Sequence, residues 1–284
     1  DEIRRTRLLL QTSGKTLSEP IQNDKTRQAA LLSLSSVHPD TGKIIPVSFR
    51  PPAFLPISLP LVIVSSLQLR AKQNLFCQFV FHTYTTGFTL LNGNGTVKAE
   101  GYSLQQKQLV YGVGAVSYAA CISALPHFFV NRYTSKGSLT QLVIKSLLPA
   151  PLLGLMTAFT VAVVRSPEFE NGIEVMDRNG KVVGVSQKAG EKAVKETALS
   201  RAVLFGTTSF LPPVLVHFVE RAKLARTPRA LSLVRMLLIT SILAGMLPVS
   251  LSMFPQCGEI KRADLEPEIV SSTEETELFY NRGI

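Results

Sequence analysis

The sequence predicts an all-α protein, a polytopic transmembrane helical bundle of about five spans. It leaves room for a sixth, embedded helix and for a small hairpin outside the membrane. Two observations carry this prediction. Six stretches free of Asp, Glu, Lys and Arg follow one another: Pro51–Leu69, Gln73–Val97, Gln108–Asn131, Ser146–Val164, Ala202–Val219 and Met236–Gly258. They are 19, 25, 24, 19, 18 and 23 residues long, and a helix crossing the hydrocarbon needs about 20. The cations also stand at the ends of these runs (Arg50, Arg70, Lys72, Lys107, Arg132, Lys145, Arg165, Arg201 and Arg235), where they can anchor helices among anionic headgroups.

Residues 1–50 read as a polar, basic N-terminal region. Within it Gln28–Leu34 suits a short surface helix. His38-Pro39-Asp40-Thr41-Gly42-Lys43 suits a tight turn, because Pro fixes φ and Gly tolerates φ > 0. The transmembrane domain is placed at 51–258. Its first run holds Pro51, Pro52, Pro56 and Pro60. Proline removes backbone donors, so a kinked or partly unwound element is expected.

The second run, Leu75–Leu91, is long enough to span but carries Gln78, His82, Thr83, Tyr84, Thr85, Thr86 and Thr89. It is either a buried helix lining a pathway or one lying half embedded. The third run spaces Ala115, Ala119 and Ser123 by four, which lets two helices approach closely. Ser241 and Gly245 repeat the device in the last run, and core packing is the expected use of both sets.

Residues 165–201 form the one substantial internal loop. Arg178-Asn179-Gly180 between short β-prone segments is a hairpin signal. Gln187–Ser200 then reads as an amphipathic helix leading into the fifth span. The tail, 259–284, is acidic and reads as a soluble extension. If all six runs cross, the side bearing the N-terminus collects 20 Lys or Arg against 8 opposite. That side comprises residues 1–52, the segment near Lys98, the loop 165–201 and the tail. Long segments count less than short loops, so the bias supports six crossings only mildly.

Composition excludes other classes. The chain is 45% hydrophobic and 18% charged, with net charge +10. Cations gathered at helix ends suit a membrane surface, not a continuous nucleic-acid face, so lipid is the expected partner and nucleic acid is not. Cys77, Cys121 and Cys257 are scattered, as are the four histidines, so no metal site and no cofactor is expected. No Ser–His–Asp arrangement or phosphate loop points to an enzyme, and Asn92-Gly93-Asn94-Gly95 reads as a turn. His38 and Asp40 are better explained by turn capping and local packing than as a proton relay or metal pair. The chain opens at Asp1 with no cleavable apolar signal, so targeting is expected to be internal or encoded upstream.

Ordered blocks of residues resemble a known family. His38-Pro39-Asp40-Thr41-Gly42-Lys43 is followed by Ile45-Pro46 and Phe49-Arg50. Next come Gly172-Ile173-x-Val175-x-Asp177-x-x-Gly180, Ala193-Val194-x-Glu196-Thr197, Ser200-Arg201 and Phe254-Pro255-Gln256. The chain closes on Phe279-Tyr280-Asn281-Arg282-Gly283-Ile284. This series resembles the sideroflexins from about Gln28 onward, with His38, Pro39, Asp40, Thr41, Gly42, Asn281 and Gly283 as signature positions. The resemblance implies a multi-pass protein of the mitochondrial inner membrane. It also implies import of serine or another small neutral amino acid, and links to iron, haem and the respiratory chain.

The chain departs from that pattern at places that matter. An Asn-Gln pair of the family falls at Phe81 and His82, while Gln78 is retained. Two Asn and a Pro of the fourth span become Thr157, Thr160 and Ala162, before Arg165. Together with the doubled Pro51-Pro52 and the acidic tail, this looks like the family's divergent fourth branch. A zwitterion entering low dielectric needs fixed dipoles around both charges. Exchanging Asn for Thr or Phe removes many of them, so efficient serine transport is not expected. A scaffold supporting iron or haem homeostasis and respiratory-chain maintenance, with complex-assembly proteins as partners, is favoured. The alternative is a transporter of a small amino acid or related metabolite, its pathway lined by Gln78, His82, Thr83, Thr157, Thr160 and Arg165.

Overall fold

The computed structural model describes residues 35–38, 42–66, 71–94, 102–132, 148–224 and 227–283, with the side chains of 71, 102–107 and 127–132 left aside. The segment Gln28–Leu34 and residues Pro39, Asp40 and Thr41 lie outside these. The proline-rich run begins as two 3-10 turns, Val47–Phe49 and Pro51–Ala53, because consecutive prolines leave too few N–H donors for α-helical bonding. It then continues as α1 (Phe54–Ser66) through Pro60. The partly unwound element is therefore confined to its entrance.

The bundle continues with α2 (Ala71–Asn92), α3 (Tyr102–Arg132) and α4 (Pro149–Val164). After the short α5 (Pro167–Asn171) and the hairpin come α6 (Gln187–Arg221) and α7 (Pro228–Ser252). The expected amphipathic helix and fifth span are thus one helix, started by Ser186, whose hydroxyl accepts from Ala189 N at 3.0 Å. Among the described residues three helices are long and apolar enough to cross a membrane: Gln108–Pro126 within α3, α6 and α7. Pro51–Ser66 and Pro149–Val164 are shorter apolar helices. The more polar α2 packs between α1 and α3, burying Asn74, Gln78, His82 and Thr86 and leaving Phe76 and Phe79 exposed.

α6 is the central post, flanked by α4 and α7. Gly154 makes the α4 contact: a Cβ there would lie 2.9 Å from Ala202 O and 3.3 Å from Gly206 Cα. Gly154→Val should therefore force the helices apart and cost about 1–3 kcal/mol. Gly114→Val, where a Cβ meets nothing within 4 Å, is the control. Thermal unfolding in detergent compares the two, and equal midpoints would refute the close-packing role. Ala115, Ala119 and Ser123 are buried as expected. Ser241 and Gly245 are not: both are exposed, and a Cβ on Gly245 would meet nothing within 4 Å. That expectation is corrected, because α7 turns its buried face through Ile239, Leu243 and Ser250 instead.

The hairpin forms as expected, β1 (Ile173–Met176) pairing antiparallel with β2 (Val182–Ser186). Gly180 adopts φ 77° in the turn, a conformation that costs glycine little. Asp177 Oδ1 accepts from Asn179 N at 2.9 Å and Lys181 N at 2.8 Å. The hairpin is only half of a sheet, however. The tail supplies β3 (Cys257–Lys261), α8 (Pro267–Ser272) and β4 (Glu277–Asn281), giving an antiparallel order β2-β1-β4-β3. The acidic tail is therefore no free extension. It closes a second core around Ile173, Val175, Ile260, Ile269, Leu278 and Tyr280.

Candidate functional site

Along α2, Asn74, Gln78, His82 and Thr86 recur every fourth residue and so share one helix face. All four are more than nine-tenths buried. His82 Nε2 lies 3.0 Å from Ser123 Oγ on α3, and a Cβ on Gly112 of α3 would stand 3.9 Å from Thr86 Cγ2, so this face is turned to α3. Five of its polar atoms have no hydrogen-bond partner among the described residues: both of Asn74, Gln78 Oε1, His82 Nδ1 and Thr86 Oγ1. Leaving a buried polar atom unpaired costs about 1–3 kcal/mol. A row of them is a surface built to meet water or a polar solute.

At one end of the bundle polar groups are instead bonded to one another. Arg165, just past α4, directs Nε and Nη2 at the two oxygens of Glu168, at 2.6 and 2.8 Å. Its Nη1 donates to Thr197 Oγ1 at 2.9 Å, and Nη2 also donates to Arg282 O at 2.7 Å. Asn94 Nδ2 reaches Glu168 Oε2 at 3.1 Å and Asn281 O at 2.9 Å. His38 Nε2 meets Gly93 O at 2.6 Å. Gly283, at φ 71°, packs so closely that a Cβ would lie 3.1 Å from Arg165 Nη2. One node thus ties the N-terminal segment, the residues after α2, the 165–201 loop and the tail. These are the four segments that six crossings would gather on one side.

Comparison with known proteins now bears on the whole chain. The family model described as "Sideroflexins" matches residues 1–284. The chain is a sideroflexin. Among its relatives, Sideroflexin-4 of Danio rerio is 46% identical over all of this chain and 89% of its own length. Sideroflexin-4 of Homo sapiens is 37% identical over all of this chain and 82% of its own. Human Sideroflexin-5 is 30% identical over 95% of this chain and 78% of its own length. No solved structure matches.

Within this sideroflexin the expected pathway residues separate. Gln78 and His82 belong to the α2 face. Thr83 does not: it is exposed, and its hydroxyl donates to Phe79 O at 2.7 Å, because one step past His82 turns a helix by about 100°. Thr157 and Thr160 are buried on α4, but their hydroxyls donate to Gly154 O at 2.8 Å and Thr157 O at 2.9 Å. No hydrogen bond among the described residues joins them to Gln78 or His82. Arg165 is held in the node, not along the α2 face. Phe81 packs edge-on against Phe205 at 4.9 Å within the apolar core.

Of the signature positions, His38, Gly42, Asn281 and Gly283 are described, and His38, Asn281 and Gly283 meet at the node. His38 does not merely pack locally; its bond to Gly93 O crosses 55 residues. Asn74, Ser123, Glu168 and Arg282 were not singled out for the site from sequence. For Asn74 the signal existed, as the start of the four-residue repeat. For Glu168 and Arg282 it did not, since their partners lie on other elements. Burial holds the Arg282 guanidinium pKa below the usual arginine value; the Glu196 carboxylate opposes this and the Arg165 charge adds to it.

Proposed function

We propose that this sideroflexin is a mitochondrial inner-membrane protein that keeps a transporter-type bundle without efficient serine transport. On this reading it serves as a membrane scaffold in iron or haem homeostasis and respiratory-chain maintenance, with complex-assembly proteins as partners. One observation supports the reading: the residues that the resemblance sets at the family's amide positions have closed surroundings here. Phe81 is core, and Thr157 and Thr160 spend their hydroxyls on their own helix. Serine uptake into proteoliposomes should be about tenfold or more below that of a sideroflexin with the Asn pairs, the cost of one or two lost charge-assisted hydrogen bonds. Restoring Asn at Thr157 and Thr160, and Asn-Gln at Phe81 and His82, should raise it. Robust serine uptake by the unmodified chain would overturn the reading, as would affinity purification from mitochondria that recovers no assembly protein.

The unpaired face of α2 favours a second reading, transport of another small amino acid or related metabolite. Uptake of any other labelled amino acid that falls on Gln78→Leu or His82→Leu would select it.

A further inference from the structure

Three guanidiniums are buried where the helical bundle meets the sheet: Arg165, Arg201 and Arg282. Arg165 is fully used, and it takes up the Glu168 carboxylate. The other two are not. Arg201, one turn beyond Thr197 on α6, lies over the Phe54 ring at 4.7 Å and the Phe88 ring at 5.2 Å, and its Nη2 has no partner among the described residues. Arg282 lies over Phe254 at 5.9 Å, with Nε and Nη1 unpartnered. Neither forms an ion pair among the described residues. Glu196, the other carboxylate in electrostatic reach of Arg282, accepts from Tyr280 Oη at 3.0 Å.

Arg165 bonds both Thr197, one turn before Arg201 on α6, and the Arg282 carbonyl, so the three guanidiniums belong to one cluster. Among the described residues the cluster therefore sets three positive charges against two carboxylates, Glu168 and Glu196. A buried guanidinium without a counter-charge is costly, and ring faces return only part of that cost. What would satisfy it is one negative charge with planar or tetrahedral oxygens, able to take two N–H donors from a fork.

We propose that Arg201 and Arg282 together bind the oxyanion of a monoanionic ligand, a carboxylate or a phosphodiester. Position agrees with the charge count. Arg165 ends the charge-free run 146–164 and Arg201 precedes the run 202–219, which is the level of a headgroup phosphate. A soluble carboxylate offers the same chemistry. The site does not depend on whether the protein transports serine, so its test uses binding alone.

The experiment is thermal unfolding of the purified, delipidated full chain in neutral detergent. One arm adds phosphatidylglycerol against phosphatidylcholine; the other adds sodium acetate against sodium chloride at equal ionic strength. At least one anion should raise Tm by about 5 °C at saturation. Arg201→Gln with Arg282→Gln should abolish that rise, and Arg201→Lys, which keeps the charge but loses the fork, should reduce it. A lipid-only response identifies a headgroup site, and an acetate response a soluble carboxylate. No shift above either control overturns the proposal, as does an undiminished shift in the folded variants. If the double variant does not fold, the Arg201→Lys comparison decides.

Discussion

Arg165→Met is expected to destabilise the protein by about 3–5 kcal/mol, because it strands the buried Glu168 carboxylate without its partner. The guanidinium is nearly inaccessible and makes four of the node's hydrogen bonds: two to Glu168, one to Thr197 and one to the Arg282 carbonyl. Losing it opens the junction between α4, α6 and the tail at once. Glu168→Gln should cost less, since Asn94 and part of the Arg165 fork can still bond an amide. Arg165→Met with Glu168→Gln should recover part of the single loss, as neutral replacements of buried pairs often do. Unfolding midpoints in detergent measure all three. A single Arg165→Met variant as stable as the parent would show that the node contributes register and not stability.

The helices were legible because the bilayer leaves a one-dimensional trace. A charge-free run of helix length bounded by cations can be read without any knowledge of contacts. The Asn179-Gly180 hairpin was legible for a similar reason, since a turn of that kind is specified by its own residues. The other half of the sheet was not. β3 and β4 are short segments with no turn signal of their own between β-prone runs, and their burial depends on β4 meeting β1 about a hundred residues away and on β3 pairing with β4. The same limit explains Ser241 and Gly245: small residues permit close packing, but only the neighbours decide which face of α7 is used.

The site divides along the same line. Gln78 and His82 were found because a polar residue in an apolar run is conspicuous, and the four-residue repeat through Asn74 and Thr86 extends them by helix geometry alone. Thr83, Thr157 and Thr160 each donate their hydroxyl within their own helix. A threonine in a helix can donate to the carbonyl three or four residues back, and that choice hides its hydroxyl from any pathway. Arg165 was singled out correctly but for another role. Its partners Glu168, Thr197 and Arg282 stand 3, 32 and 117 residues away, and only the fold brings the last two together.

Deleting Phe279–Ile284 should produce the largest loss on the sheet side, at least the 3–5 kcal/mol typical of truncating one large buried aromatic. Adjacent residues of a strand face opposite ways, so the two aromatics cannot both dock. Tyr280 is fully buried, whereas Phe279 is only half-buried. The Tyr280 ring covers Gly258 on the neighbouring strand, leaving no room for a Cβ there, and its hydroxyl donates to Glu196 Oε2 at 3.0 Å. Burial, then the charge of Glu196, raise the phenol pKa above its ordinary value, so the hydroxyl remains a donor. Tyr280→Ala should therefore approach the effect of the deletion, Phe279→Ala should cost clearly less, and Tyr280→Phe about 1 kcal/mol. The deletion also removes the Arg282 carbonyl and Gly283 from the Arg165 node, so recovery of the assembly proteins proposed as partners should fall with stability. Thermal unfolding and affinity recovery test both. If the truncated chain matched the parent in each, β4 would be a passive edge and the Arg165 node would not need the tail to close it.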